Sequence, residues 1–157
     1  MTVIVLSLLI GVVAGLRALT APAAAAFAAR YGALAVGGTP LAFMGYTWVP
    51  WLLGLAALSE FVTDQLPSTP SRKVPVQFTA RILTGALSGA TVAAPSASVV
   101  IGVIAGMIGA VIGTLGGAAF RAHLAAAFGN DRPAAIIEDL VAMGGAALIV
   151  TAPSILA

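Results

Sequence analysis

Arg17 sits inside an apolar run from Val3 to Ala29 that no other ionised side chain interrupts. A cation at the centre of a lipid-embedded helix costs about 2.5 to 3.5 kcal/mol on insertion scales, so such a residue faces protein or a water-filled cavity and has a partner. The other residues able to do chemistry stand at the edges of apolar segments. Glu60 and Asp64 are spaced i, i+4 and share a helix face. Arg81 opens one segment, Arg121 and His123 close another, and Glu138 and Asp139 open the last. Carboxylates in such places bind cations or relay protons. Guanidiniums hold phosphate or carboxylate groups. The competing use of the same residues is ion pairing and snorkelling that only fix the bundle.

Other chemistries find little support. The single histidine has no HxxxH or HExxH partner, so no metal site is expected. No GxSxG elbow accompanies His123, so no catalytic residue is assigned and an enzyme is the weaker reading. There are no cysteines, which removes disulfides and thiolate chemistry. No cofactor is implied.

The elements that must position these residues follow from composition. The chain has 157 residues, 61% hydrophobic and 8% charged. A soluble domain carries about a quarter charged residues, so this chain reads as a membrane protein whose first partner is the lipid bilayer. Net charge is only +2, from seven basic and five acidic side chains, and there is no basic patch to bind nucleic acid.

The pattern predicts one all-α domain over residues 1–157, a polytopic transmembrane helix bundle of about five spans. Segment one covers Thr2 to Ala29 and is retained, since a basic n-region is lacking. Pro22 predicts a kink or break in it, with Thr20 available to cap a second half-helix. Segment two covers Leu41 to Leu66, with Tyr46, Trp48 and Trp51 as interfacial aromatics. Pro67 to Pro75 is a hydrophilic loop carrying Arg72 and Lys73. Segments three, four and five cover Val76 to Ala94, Val99 to Phe120 and Ala134 to Leu156. Placing the basic loops in the cytoplasm gives a multi-pass protein of the bacterial plasma membrane with N-terminus inside and C-terminus outside.

Segment four carries Gly102, Gly106, Gly109, Gly113 and Gly116 at spacings of 4, 3, 4 and 3, one narrow stripe on a helix. Between lipid-embedded helices a glycine face permits close backbone approach. The stripe serves packing within the bundle or a homo-oligomer. Gly85 and Gly89 on segment three, and Gly11 and Gly15 on segment one, offer shorter faces of the same kind.

Gly15-Leu16-Arg17-Ala18 followed by Pro22, then Ser59-Glu60-Phe61 with Asp64-Gln65-Leu66-Pro67, resembles the bacterial membrane family known as domain of unknown function 4126. Arg81 to Gly89, Arg121 and Glu138-Asp139 resemble its second half. The resemblance covers nearly the whole chain. It implies a small multi-span membrane protein and supplies no reaction.

An internal echo accompanies it. Leu16-Arg17-Ala18-Leu19 and Phe120-Arg121-Ala122-His123 each precede an alanine-rich stretch, and each is followed by an acidic pair. With segments one and four antiparallel this would be a weak inverted repeat, as in many secondary transporters. The function expected is a transporter or permeation protein for a small or anionic solute, with Arg17 at its polar centre and Glu60 as Arg17's partner. The polar end would be lined by Asp64, Arg81, Arg121, Glu138 and Asp139. The alternative is a non-transporting structural or accessory subunit. No substrate is legible.

Overall fold

A computed structural model describes residues 1–64 and 73–155. Arg72 and most of the Pro67–Pro75 loop lie outside the described residues. The chain is all-α: among the described residues there are six α-helices and no strand. They are α1 (Thr2–Leu16), α2 (Thr20–Arg30), α3 (Val49–Thr63), α4 (Pro75–Ala93), α5 (Val99–Phe128) and α6 (Asp131–Ile155), with a short 3-10 turn at Ala42–Gly45 before α3. Two of them, α5 and α6, are long and apolar enough to cross a bilayer; α1 and α3 are apolar but shorter. Five spans are not established by these lengths.

The first segment is not one span. Its helix ends at Leu16, Arg17 is extended (φ −138°, ψ 112°), and α2 begins at Thr20. The break therefore precedes Pro22. That proline sits in the first turn of α2, where a backbone N–H would have no intrahelical acceptor. The chain also reverses there. α1 runs antiparallel to α6, since Val13 meets Gly145 while Arg17 meets Asp139. Ala23 and Ala28 of α2, and Tyr31 just after it, share a groove with Ala146, Val150 and Thr151 of α6. Hence α2 descends beside α6, back along α1. α3 returns antiparallel to α2, with Phe27 against Trp51 and Gly54, and Leu19 against Glu60.

The remaining order is set by glycine contacts. α1 and α4 are antiparallel: Ser7 Oγ donates to the Gly89 carbonyl at 3.1 Å, and Arg81 reaches Gly15. α5 lies in the cleft between them. A Cβ added at Gly106 or Gly102 would strike the backbone of Gly85 or Gly89 on α4. One added at Gly109 or Gly113 would strike Leu8 or Val12 on α1. Even at Gly85 a Cβ would stand 2.7 Å from the Gly106 oxygen. The expected stripe is thus used inside the chain, and a second copy could reach Gly102 to Gly113 only by displacing α1 or α4. Gly116 has open space around it.

Two expectations change with this path. Leu8 meets Gly109 and Val12 meets Gly113, so α1 and α5 are parallel. The inverted repeat required them to be antiparallel. The reversal at Arg17 also puts Met1 and the start of α4 at opposite ends of the bundle, whereas a cytoplasmic N-terminus required them on the same side. The end holding Arg17, Asp64 and the start of α4 is the charged end. Met1, Arg30, the start of α5 and the end of α6 lie at the far end.

The outside of the bundle is apolar. Ile104, Ile108, Ile112 and Leu115 on α5, and Leu140, Met143 and Leu148 on α6, are all exposed. Contiguous apolar surface of this kind is a liability in water and matches hydrocarbon.

Candidate functional site

A reversal inside an apolar bundle leaves carbonyls at the end of one helix and N–H groups at the start of the next with no helical partner. Away from water each must be satisfied by protein. Here two charged side chains do it. Arg81 Nη1 donates to the carbonyls of Gly15 at 3.0 Å and Leu16 at 2.8 Å. A cation thereby meets the negative end of α1. Glu60 accepts from the Ala18 N–H at 2.7 Å through Oε1 and from the Leu19 N–H at 2.8 Å through Oε2. A carboxylate thereby meets the positive end of α2. Arg81 Nη2 and Glu60 Oε1 stand 3.7 Å apart. Thr114 Oγ1 adds a 3.3 Å bond to the Gly15 carbonyl. Thr20, an expected cap, makes no side-chain cap bond, and its buried hydroxyl has no hydrogen-bond partner.

Arg17 is fully buried and paired with two carboxylates, Asp64 at the end of α3 and Asp139 on α6. The Phe61 ring lies 5.3 Å from its guanidinium carbon, a cation–π contact. The expected partner, Glu60, is taken by the reversal backbone instead. Glu60 and Asp64 do share a face, a turn apart along α3; Arg81 stands near both, but only Asp64 pairs with Arg17 and only Glu60 accepts from the reversal backbone. Asp64 also lies 4.0 Å from Arg81 Nη2. Asp64 and Asp139 are slightly exposed, at 16% and 15% of their side-chain surface, against none for Arg17.

A second group adjoins the first. Arg121 donates from Nε and Nη2 to the two oxygens of Asp131 at 2.9 and 2.5 Å, and from Nη1 to Glu138 at 3.4 Å. Glu138 is buried beside Asp139 in sequence and joins the two groups. So Arg17, Glu60, Asp64, Arg81, Arg121, Glu138 and Asp139 do come together at one end of the bundle. Asp131 and Phe61 were not anticipated. Asp131 reads as an ordinary loop acid after Gly129-Asn130, and Phe61 as one more apolar residue of α3. His123 is exposed on α5 and makes none of these pairs. Among the described residues no group of three or more acidic or histidine side chains is arranged to hold a metal ion.

The depth of the site follows from helix length. At 1.5 Å per residue, the 15 residues of α1 carry the chain about 22 Å from its start to Arg17. Thr114 marks the same level on α5, which continues for about 20 Å beyond it.

All five acidic residues of the sequence lie at this end, and the ion pairs described join them to Arg17, Arg81 and Arg121. Around Arg17 itself the groups that reach the surface are the carboxylates of Asp64 and Asp139, while the guanidinium is enclosed.

A family model described as Domain of unknown function (DUF4126) matches residues 4–157. No curated protein and no solved structure matches the chain.

Proposed function

This chain belongs to the family of domain of unknown function 4126, and we propose that it is a small multi-pass protein of the bacterial plasma membrane. It passes a small solute through the polar centre around Arg17, and the present arrangement is the closed one. The observation that carries this reading is the division of Arg17 between Asp64 on α3 and Asp139 on α6. A shift of α3 against α6 breaks one pair and keeps the other, so the cation is never left alone in the apolar interior. Broken helices whose ends meet charges near the membrane midplane are the common device of secondary transporters. The accessible groups at this centre are the carboxylates of Asp64 and Asp139, with Arg17 enclosed, which changes the expected solute from an anion to a proton or small cation.

The positive-inside rule sets the orientation. Lys73, Arg81, Arg121 and Arg132 belong to the charged end and Arg30 to the far end, which supports a cytoplasmic charged end. Met1 and the end of α6 then face outward.

The test is flux into liposomes that hold the purified protein, driven by a potassium diffusion potential and followed with an internal pH dye and a sodium-sensitive dye. One of the two cations enters faster than in empty liposomes, and folded Asp64→Asn or Asp139→Asn protein slows it. Rates equal to those of empty liposomes for both cations would contradict the proposal.

A second reading has its own observation. Arg17 is wholly buried under Phe61, and Arg81 and Glu60 already serve the reversal backbone. On that reading the charges only close a re-entrant hairpin in a structural or accessory subunit. Variants would then lower stability and leave flux at the background rate.

A further inference from the structure

A groove of about 670 Å³ runs down the outer face of the bundle between α2, α3 and α6. Its walls are carbon almost throughout. Tyr31 and Trp51 stand at one end, Thr20 and Phe61 at the other, and Leu58 and Ala146 also line it. Phe27 joins the aromatic end, stacked on Tyr31 at 6.2 Å and edge-on to Trp51 at 5.4 Å. Gly54 makes room for that ring: a Cβ there would stand 3.3 Å from it.

The groove opens sideways into whatever surrounds the bundle. In hydrocarbon it cannot stand empty without losing dispersion contacts along its walls. Water would find almost no polar partners there. A partner helix, about 10–12 Å across with its side chains, is too wide to seat fully. A single hydrocarbon chain fits. From Thr20 to Tyr31 the groove spans about 16 Å of α2, close to the depth of one leaflet of a hydrocarbon core about 30 Å thick. Tyr31 and Trp51 then fall at headgroup level, where amphipathic rings gather. Arg30, next to Tyr31, is exposed, and among the described residues it joins no ion pair.

We propose that this groove seats one acyl chain of an anionic phospholipid of the outer leaflet, with the lipid phosphate and charged headgroup held against Arg30. The inference rests on the membrane orientation proposed above and not on permeation, since Phe61 stands between the groove and Arg17.

The test is native mass spectrometry of the full chain, purified in detergent and mixed with equal amounts of phosphatidylglycerol and phosphatidylcholine. The wild type retains one phosphatidylglycerol several-fold more often than phosphatidylcholine. Ala147→Phe places a ring in the groove from an exposed position on α6 and reduces retention several-fold with thermal stability unchanged. If that variant does not fold, Ala24→Phe fills the same groove from α2. Arg30→Gln keeps a bound lipid and loses the preference for phosphatidylglycerol. Equal retention of the two lipids by the wild type would overturn the proposal. So would unchanged retention in a folded groove-filling variant.

Discussion

Glu60 and Arg81 stand 3.7 Å apart, one on the N–H groups that open α2 and the other on the carbonyls that close α1. Each charge complements the helix end it touches, and each neutralises the other. A reversal in the apolar interior of the bundle is thereby satisfied without water. Arg17, which lies in the chain between the two helix ends, is left free to pair with carboxylates from α3 and α6.

Removing the carboxylate is expected to open the reversal. Glu60→Ala strands two N–H groups, each costing about 1–3 kcal/mol when buried without a partner. Glu60→Gln keeps one acceptor oxygen and loses less. Thermal unfolding in detergent should rank wild type above Glu60→Gln above Glu60→Ala. Equal midpoints would mean that water already reaches Ala18 and Leu19.

Arg17→Gln leaves Asp64 and Asp139 without their cation. Breaking a buried pair costs about 3–5 kcal/mol, and adding Asp139→Asn to that variant should restore part of the loss. A charge swap of Arg17→Glu with Glu60→Arg should restore nothing, because Glu60 holds backbone and not Arg17. A rescued swap, read as folded yield and melting point, would move the pairing back to Glu60.

The glycine stripe predicts a contrast. Gly106→Leu forces a side chain into the backbone of α4 at Gly85 and Gly89 and should abolish the folded particle, beyond the ~1–3 kcal/mol of ordinary overpacking. Gly116→Leu enters open space and should change stability by about 0.5 kcal/mol or less. Size-exclusion profiles and melting points of the two variants decide it. Similar behaviour of both would remove the stripe from the core.

Much of this arrangement was legible in the sequence. The start of α5 at Val99, the close-packing glycines and the gathering of charges at one end all follow from apolar runs and spacing. The reversal did not. A break near Pro22 with a second half-helix from Thr20 is legible, but composition is equally apolar on both sides of Arg17, so residues 2–29 read as one span and nothing in them marks a change of direction. α5 extends eight residues past Phe120, because the alanine-rich stretch keeps helix propensity after the apolar run ends. Which carboxylate meets Arg17 depends on where the N–H groups of Ala18 and Leu19 point. That is a property of the backbone path and not of residue spacing.

The most direct measurement concerns the reversal itself, on which the charge group, the orientation and the depth of the groove all depend. The protein has no cysteine, so single cysteines report sidedness cleanly. Gly37→Cys, Asn130→Cys and a cysteine appended before Met1 are exposed to a membrane-impermeant thiol reagent in intact cells and again after lysis. The account predicts labelling of the Met1 and Gly37 positions in intact cells, with Asn130 labelled only after lysis. Met1 and Gly37 on opposite sides of the membrane would contradict it, since the first segment would then cross as a single span.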